Sequence, residues 1–133
     1  EIASTGTLID AKSSKEMIVN VFFPNSPLHD GALLVRNGRL FCAGCFLPLS
    51  QNYDISKEMG TRHRAALGMS ENSDAIILVV SEETGTISIA NNGVIIRKEL
   101  LIVSDEDKPA KFRFWRAKKW KWKKTILYIT IIF

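Results

Sequence analysis

Three short stretches carry the residue types that chemistry needs. Leu28-His29-Asp30-Gly31-Ala32 sets an imidazole and a carboxylate beside a glycine, just ahead of an apolar run. A carboxylate at the mouth of a strand can bind a metal ion or accept a proton. Gly31 permits close backbone approach or an unusual dihedral angle. The same residues also suit an ordinary Asp-Gly turn, and the stretch alone does not separate the two readings. Gly60-Thr61-Arg62-His63-Arg64 comes second. With Thr61 as N-cap, Arg62 to Arg64 fill a first helical turn, where the dipole prefers acids. A phosphate reverses that sign, because free N–H groups, dipole and guanidinium all favour an anion. Arg62 and Arg64 lie about 200° apart around such a helix. One of them is expected to bind and the other to brace the fold or an interface. A solvated basic turn is the alternative. The third stretch, Val80-Ser81-Glu82-Glu83-Thr84-Gly85, follows a buried strand, a place where ligands gather in α/β sheets. One of its carboxylates could help hold a divalent cation; a polar hairpin turn is the alternative.

The elements that must position these residues are legible from periodicity and turn chemistry. Ser13 to Phe23 reads as a helix, with Ser14 as a cap and Met17, Ile18, Val21 and Phe22 at helical spacing. Pro24 and Pro27 break the chain. Ala32 to Arg36 is a strand, Asn37-Gly38 signals a type I′ hairpin, and Arg39 to Leu47 is the returning strand. Pro48 to Asp54 is a loop, and a helix follows Thr61. Asp74 to Val80 is a continuous apolar, β-branched run, expected to be buried on both faces. Glu83-Thr84-Gly85 reads as a turn, Thr86 to Ala90 as a strand, Asn91-Asn92-Gly93 as a turn and Val94 to Arg97 as a strand. The pattern predicts an α/β (α+β) domain with a mixed central β-sheet flanked by helices.

The chain has 133 residues, 46% hydrophobic and 24% charged, an ordinary globular balance with room for one core. Its net charge of +4 hides an asymmetry. Lys111 to Lys124 holds eight basic residues and no acid, which leaves the rest of the chain at −4. The only cysteines, Cys42 and Cys45, sit in the strand-like run "LFCAGCF". Residues three apart on a regular strand point to opposite faces, so the thiols are expected to diverge as small apolar residues of a reduced, cytosolic protein. No second cysteine pair completes a zinc site. P-loop, G-x-G-x-x-G and G-x-S-x-G patterns are all absent. No apolar span reaches the length of about 20 residues that crosses a bilayer. The ending "TILYITIIF" reads as a strand or as the start of a membrane segment. The opening at Glu1, without methionine, reads as that of a fragment.

Taken together, "PLHDGA", "GTRHRAALG" and "IILVVSEETGTIS" resemble the catalytic domain of diadenylate cyclases (DAC/DisA_N type), most of all its membrane-associated CdaA (DacA) form. The resemblance runs from about Ser4 to Val103. It places the catalytic domain at residues 1–104 and a linker, basic aromatic tail and short apolar end at 105–133. It implies condensation of two ATP into cyclic di-AMP plus two pyrophosphates, with Mg²⁺ or Mn²⁺, between two facing subunits of a homodimer. Asp30 would activate or orient the ribose 3′-hydroxyl through a metal ion, with His29 as a further ligand. Gly31 and Ala32 would let the nucleotide lie against the backbone, and Leu47 would contact adenine. Thr61, Arg62 and His63 would hold the triphosphate, with Arg62 and His63 acting beside Asp30 in catalysis. Arg64 completes the motif. Ser81 would contact phosphate, and Glu83 would be a carboxylate near metal or phosphate.

The family's transmembrane helices, and the helix and strand that follow them, have no counterpart in this stretch. A missing sheet element would leave an unpaired edge or a gap in the core. An ATP-binding fragment that cannot dimerise, and so cannot cyclise, is therefore the alternative function. The tail "KFRFWRAKKWKWKK" suits an anionic membrane surface, which attracts each basic residue by roughly 1 kcal/mol while Trp favours the interface. With the membrane-associated form that the chain resembles, this implies a place for the full-length protein at the cytoplasmic face of the cell membrane; a disordered, solvated basic tail is the alternative. Nucleic acid is the weaker partner for the same charge.

Overall fold

The computed structural model describes residues 1–52, 54, 59–80, 86–98 and 127–130. After a 3-10 turn at Ile2–Thr5 come β1 (Thr7–Lys12), α1 (Lys15–Val21), β2 (Ala32–Arg36) and β3 (Arg39–Cys45). α2 (Thr61–Glu71), β4 (Ile76–Val80), β5 (Ile87–Asn91), β6 (Val94–Lys98) and β7 (Leu127–Thr130) follow. Both Asn-Gly hairpins form as the sequence predicts. Asn37 and Gly38 have φ of 51° and 71°, and Asn92 and Gly93 have 47° and 74°. Two successive positive φ values define the type I′ turn, whose twist matches the flanking strands.

The strands form one mixed sheet in the order β1-β3-β2-β7-β4-β5-β6. β7 runs antiparallel to β2 and parallel to β4, so it joins the two hairpin halves. The apolar ending is thus a strand at the centre of the sheet, and the described strands leave no gap between β2 and β4. β1 is an element that the sequence reading did not identify; it pairs with β3 across a bulge between Leu8 and Ala11.

Among the described residues one helix lies on each face. β2 alternates: Ala32 and Leu34 pack with Ala66 and Met69 of α2, whereas Leu33 and Val35 pack with Val21 and Phe22 at α1. Side chains such as Phe22, Leu33, Leu34, Leu67 and Ile77 are fully buried, each worth roughly 1.5–3 kcal/mol. β4 was expected to be buried on both faces. Ile77 and Val79 are fully buried towards α2, while Leu78 and Val80 on the other face are partly covered.

The two cysteines depart from expectation. Their sulfurs lie 3.0 Å apart, both buried and both in the cluster facing α2. The cause is a bulge. Ala32 pairs with Cys45 and Leu34 with Cys42, so three steps on β3 oppose two on β2. Gly44, at φ of 67°, absorbs the extra residue. One added residue flips the side-chain parity of a strand.

Candidate functional site at one end of the sheet

Strand directions decide which motifs meet. β2 begins where β3 ends, at the Ala32–Cys45 pair. β7 runs antiparallel to β2 and parallel to β4, so β4 ends at that same edge, where β5 begins. α2 spans the sheet in the same sense as β2: His63 near its start touches Ser88 on β5, and Ser70 near its end accepts from the Gly93 N–H in the opposite turn. The Asp30 turn, the Leu47 loop, the start of α2 and the end of β4 thus share one end of the domain.

The Asp30 turn is built from local bonds. Ser14 caps α1 by accepting from the Met17 N–H at 3.2 Å, and Glu16 in the first turn suits the dipole. α1 stops before Pro24, and the Ser26 hydroxyl donates to the Val21 carbonyl at 2.9 Å. The Ser26 carbonyl accepts from His29 Nδ1 at 2.6 Å and from the His29 N–H at 3.3 Å. A carbonyl only accepts, so Nδ1 carries the proton and Nε2 keeps its lone pair in the neutral ring. That is the arrangement of a metal-ligating histidine with its second nitrogen anchored. Asp30 is solvent-exposed. Gly31 has φ of 105°, and a Cβ there would stand 2.8 Å from the Gly44 carbonyl carbon. Only glycine fits, which seats the Asp30 turn on the β3 bulge.

The start of α2 differs from expectation in one respect. Gly60, not Thr61, is the N-cap, and no side chain caps the helix. Thr61 is the first helical residue, because the Gly60 carbonyl accepts the first helical bond, from Arg64 N–H, at 3.2 Å. The basic first turn is present as predicted, with no acid in it. His63 Nε2 lies 3.2 Å from the Ser88 hydroxyl. Ser88 is fully buried and escaped the sequence reading; its signal was a polar residue inside an apolar strand.

Arg64 turns elsewhere. Its guanidinium reaches the Ser50 carbonyl at 3.4 Å, and its own carbonyl accepts from the Ser50 N–H at 3.0 Å. Its Nε is buried without a hydrogen-bond partner. Ser50, itself buried, donates to Glu71 at 2.7 Å. A Cβ on Gly68 would collide with Pro48 O and stand 2.5 Å from Ser50 N. The segment carrying Leu47 is therefore clamped along α2, and Leu47 packs against the α2-side core.

Ser81 and Glu83, the turn at 83–85 and the basic tail at 111–124 lie outside the described residues. Among the described residues no three His, Cys, Asp or Glu side chains gather as a metal site. His29 and Asp30 offer two donors on one turn. The Asp30 carboxylate suits Mg²⁺ or Mn²⁺, which complete their shells with phosphate oxygens and water, while the His29 imidazole is the softer donor and fits Mg²⁺ less well. An open apolar groove of about 450 Å³, lined by Ile9, Met17, Val21 and Leu28 among others, lies on the α1 side, across the sheet from α2. Among the described residues no helix is long and apolar enough to cross a membrane.

The fold defines an α+β domain whose polar motifs converge at one sheet end. The family model of the DisA bacterial checkpoint controller nucleotide-binding (DAC) domain matches residues 1–95. Over 126 residues the chain is 45% identical to the cyclic di-AMP synthase CdaA of Bacillus subtilis (strain 168), covering 86% of this chain and 46% of that protein. It is 44% identical over 127 residues to the diadenylate cyclase of Listeria monocytogenes (serotype 1/2a, strain 10403S), with 86% and 46% covered. A crystal structure of a double mutant of DacA from Staphylococcus aureus superposes with a TM-score of 0.69 at 44% identity, over 74% of this chain and 66% of that one. A hypothetical membrane spanning protein from Bacillus cereus gives the same TM-score, 0.69, at 49% identity, over 72% of this chain and 47% of that one. The chain belongs to the diadenylate cyclase (DAC) domain family. It spans about half the length of the curated relatives it matches.

Proposed function

We propose that this chain is the catalytic domain of a diadenylate cyclase, which condenses two ATP molecules into cyclic di-AMP and releases two pyrophosphates. The observation that carries the reading is topological. An acidic turn, a basic helix start without a side-chain cap and the Leu47 loop share one end of a domain from this family.

Each residue then has a role that its surroundings support. The Thr61, Arg62 and His63 backbone N–H groups and the two basic side chains bind the triphosphate, where dipole and charge favour an anion. Ser88 orients His63. Leu47 lines the adenine position on a loop that Arg64, Gly68 and Ser50 hold in place. Gly31 and Ala32 let the nucleotide lie against the backbone. Ser81 and Glu83, which come after β4 in the sequence, would add phosphate or cation contacts. His29 and Asp30 would hold Mg²⁺ or Mn²⁺, which lowers the pKa of a coordinated hydroxyl and offsets phosphate charge.

In the reaction the ribose 3′-oxygen of one ATP forms a bond to the α-phosphorus of the other. The bond to the bridging oxygen breaks, pyrophosphate leaves with that electron pair, and Asp30 accepts the hydroxyl proton. The protein contributes position and charge, which is most of what phosphoryl transfer requires. One site holds one ATP, so a twofold dimer must face two sites together. A monomer binds ATP without cyclising it. The basic tail, with its three Trp among eight Lys/Arg, holds the domain near the cytoplasmic face of an anionic membrane. Nucleic acid is not the partner in this reading.

Incubation with ATP and Mn²⁺, followed by chromatography, is expected to yield cyclic di-AMP and pyrophosphate. No product from protein confirmed to be dimeric and to bind ATP refutes the reading.

A further inference from the structure

The β3 bulge places two thiols in contact for no catalytic purpose described above. Cys42 and Cys45 Sγ atoms stand 3.0 Å apart, and a disulfide requires about 2.05 Å. Closure therefore needs an approach of about 1 Å, within one four-residue stretch that is already bent at Gly44. The 3-10 turn screens the pair. Ile2 and Ala3 pack against this cluster, and Gly6 sits so close that a Cβ there would collide with Cys45 Sγ. The Phe46 N–H donates to the Thr5 hydroxyl at 2.9 Å and ties the turn to the end of β3, and local opening of this turn, which holds no buried residue, would admit a small oxidant.

The bulge is also the wall of the proposed site. Cys45 pairs with Ala32, and a Cβ at Gly31 would meet Gly44 C at 2.8 Å and Cys45 O at 2.9 Å. Leu47 follows two residues later. A shift of the Gly44–Cys45 backbone presses on Gly31 beside Asp30, where there is no room for a Cβ, and passes along the chain to Leu47.

We propose that Cys42 and Cys45 are a redox-active dithiol, which hydrogen peroxide closes to an intrachain disulfide, and that closure displaces the seat of the Asp30 turn and weakens ATP binding. The step balances. One thiolate attacks the peroxide oxygen and becomes a sulfenic acid as one water is released. The second sulfur attacks that sulfenyl sulfur, and a second water leaves. Both sulfurs are oxidised by one electron each and the peroxide takes up two. The effect on ATP rests on the function proposed above; the disulfide does not.

The chain has only these two cysteines, so any change in thiol count belongs to this pair. Folded protein is treated with hydrogen peroxide, quenched, denatured and alkylated, then weighed intact. The expected product is lighter than reduced protein by two hydrogens, carries no alkyl group and reverts with dithiothreitol. Cys42→Ser is expected to give no such product. Two alkylatable thiols after prolonged treatment overturn the proposal. ATP affinity is measured on both forms by calorimetry, with an expected loss of about tenfold on oxidation, restored by dithiothreitol and absent in Cys42→Ser. Equal affinity in both forms overturns the coupling to Asp30. Absent ATP binding in the reduced protein instead counts against the cyclase reading and leaves the mass result standing.

Discussion

His63 Nε2 lies 3.2 Å from the hydroxyl of Ser88, a residue with no solvent exposure near the start of β5. This contact joins the first turn of α2 to β5 and sets the direction in which the imidazole ring presents itself. Ser88→Ala keeps the strand and removes the hydroxyl. A net hydrogen bond is worth about 1 kcal/mol, or roughly a fivefold change. Cyclic di-AMP turnover is expected to fall by about that factor or more, with an unchanged circular dichroism spectrum. Equal turnover would show that His63 is held by its other contacts.

Asp30 is exposed at the mouth of β2 and is assigned the 3′-hydroxyl proton. Asp30→Asn retains size and hydrogen bonding but cannot accept that proton. Turnover is expected to drop by about 10²–10⁴-fold, the contribution typical of general base catalysis. ATP affinity, measured separately by calorimetry, is expected to change little. Retained turnover contradicts the assignment.

Gly31 and Gly68 are irreplaceable for different reasons. Gly31 has φ of 105° and backbone within 3 Å of a would-be Cβ, so Gly31→Ala combines dihedral strain with a backbone clash. Strain of that kind alone costs about 1–3 kcal/mol. Gly68 costs α2 about 1 kcal/mol in helix propensity, yet Gly68→Ala would push against Pro48 and Ser50. Loss of melting temperature is expected in both variants. Gly68→Ala should also raise the ATP dissociation constant through the Leu47 loop. A rise in melting temperature for Gly68→Ala would mean that the loop yields freely.

Burial, then the hydrogen bond and charge of Cys42, push the Cys45 thiol from 9.0 up to about 12. The folded state thus holds this proton more tightly than the unfolded chain. The associated stability is fully present below pH 9 and is lost as pH rises towards 12, with a slope of at most about 1.4 kcal/mol per pH unit. Chemical denaturation at about pH 8 and about pH 10 should show a larger stability loss in wild type than in Cys45→Ala. Parallel losses would indicate that the thiol ionises equally in both states.

Much of the fold that positions the candidate site is legible in the sequence alone. Ser14 as a cap, both Asn-Gly hairpins, the apolar β4 run and the basic start of α2 follow from dihedral preference, side-chain period and local hydrogen bonding. These act over a few residues and need no distant partner. The motif set, in its order, likewise identified the family. Tertiary structure decided the rest. Gly60 displaced Thr61 as the cap because chain entry, not the available hydroxyl, sets the first helical carbonyl. Cys42 and Cys45 met because a bulge shifted the register of β3 against β2. Ser88 became the partner of His63 only once β5 lay beneath α2. β7 entered between β2 and β4 because main-chain donors and acceptors on both neighbours could pair there. Strand order and register depend on surfaces that far-apart segments bring to one another, and no local window of the sequence contains both surfaces.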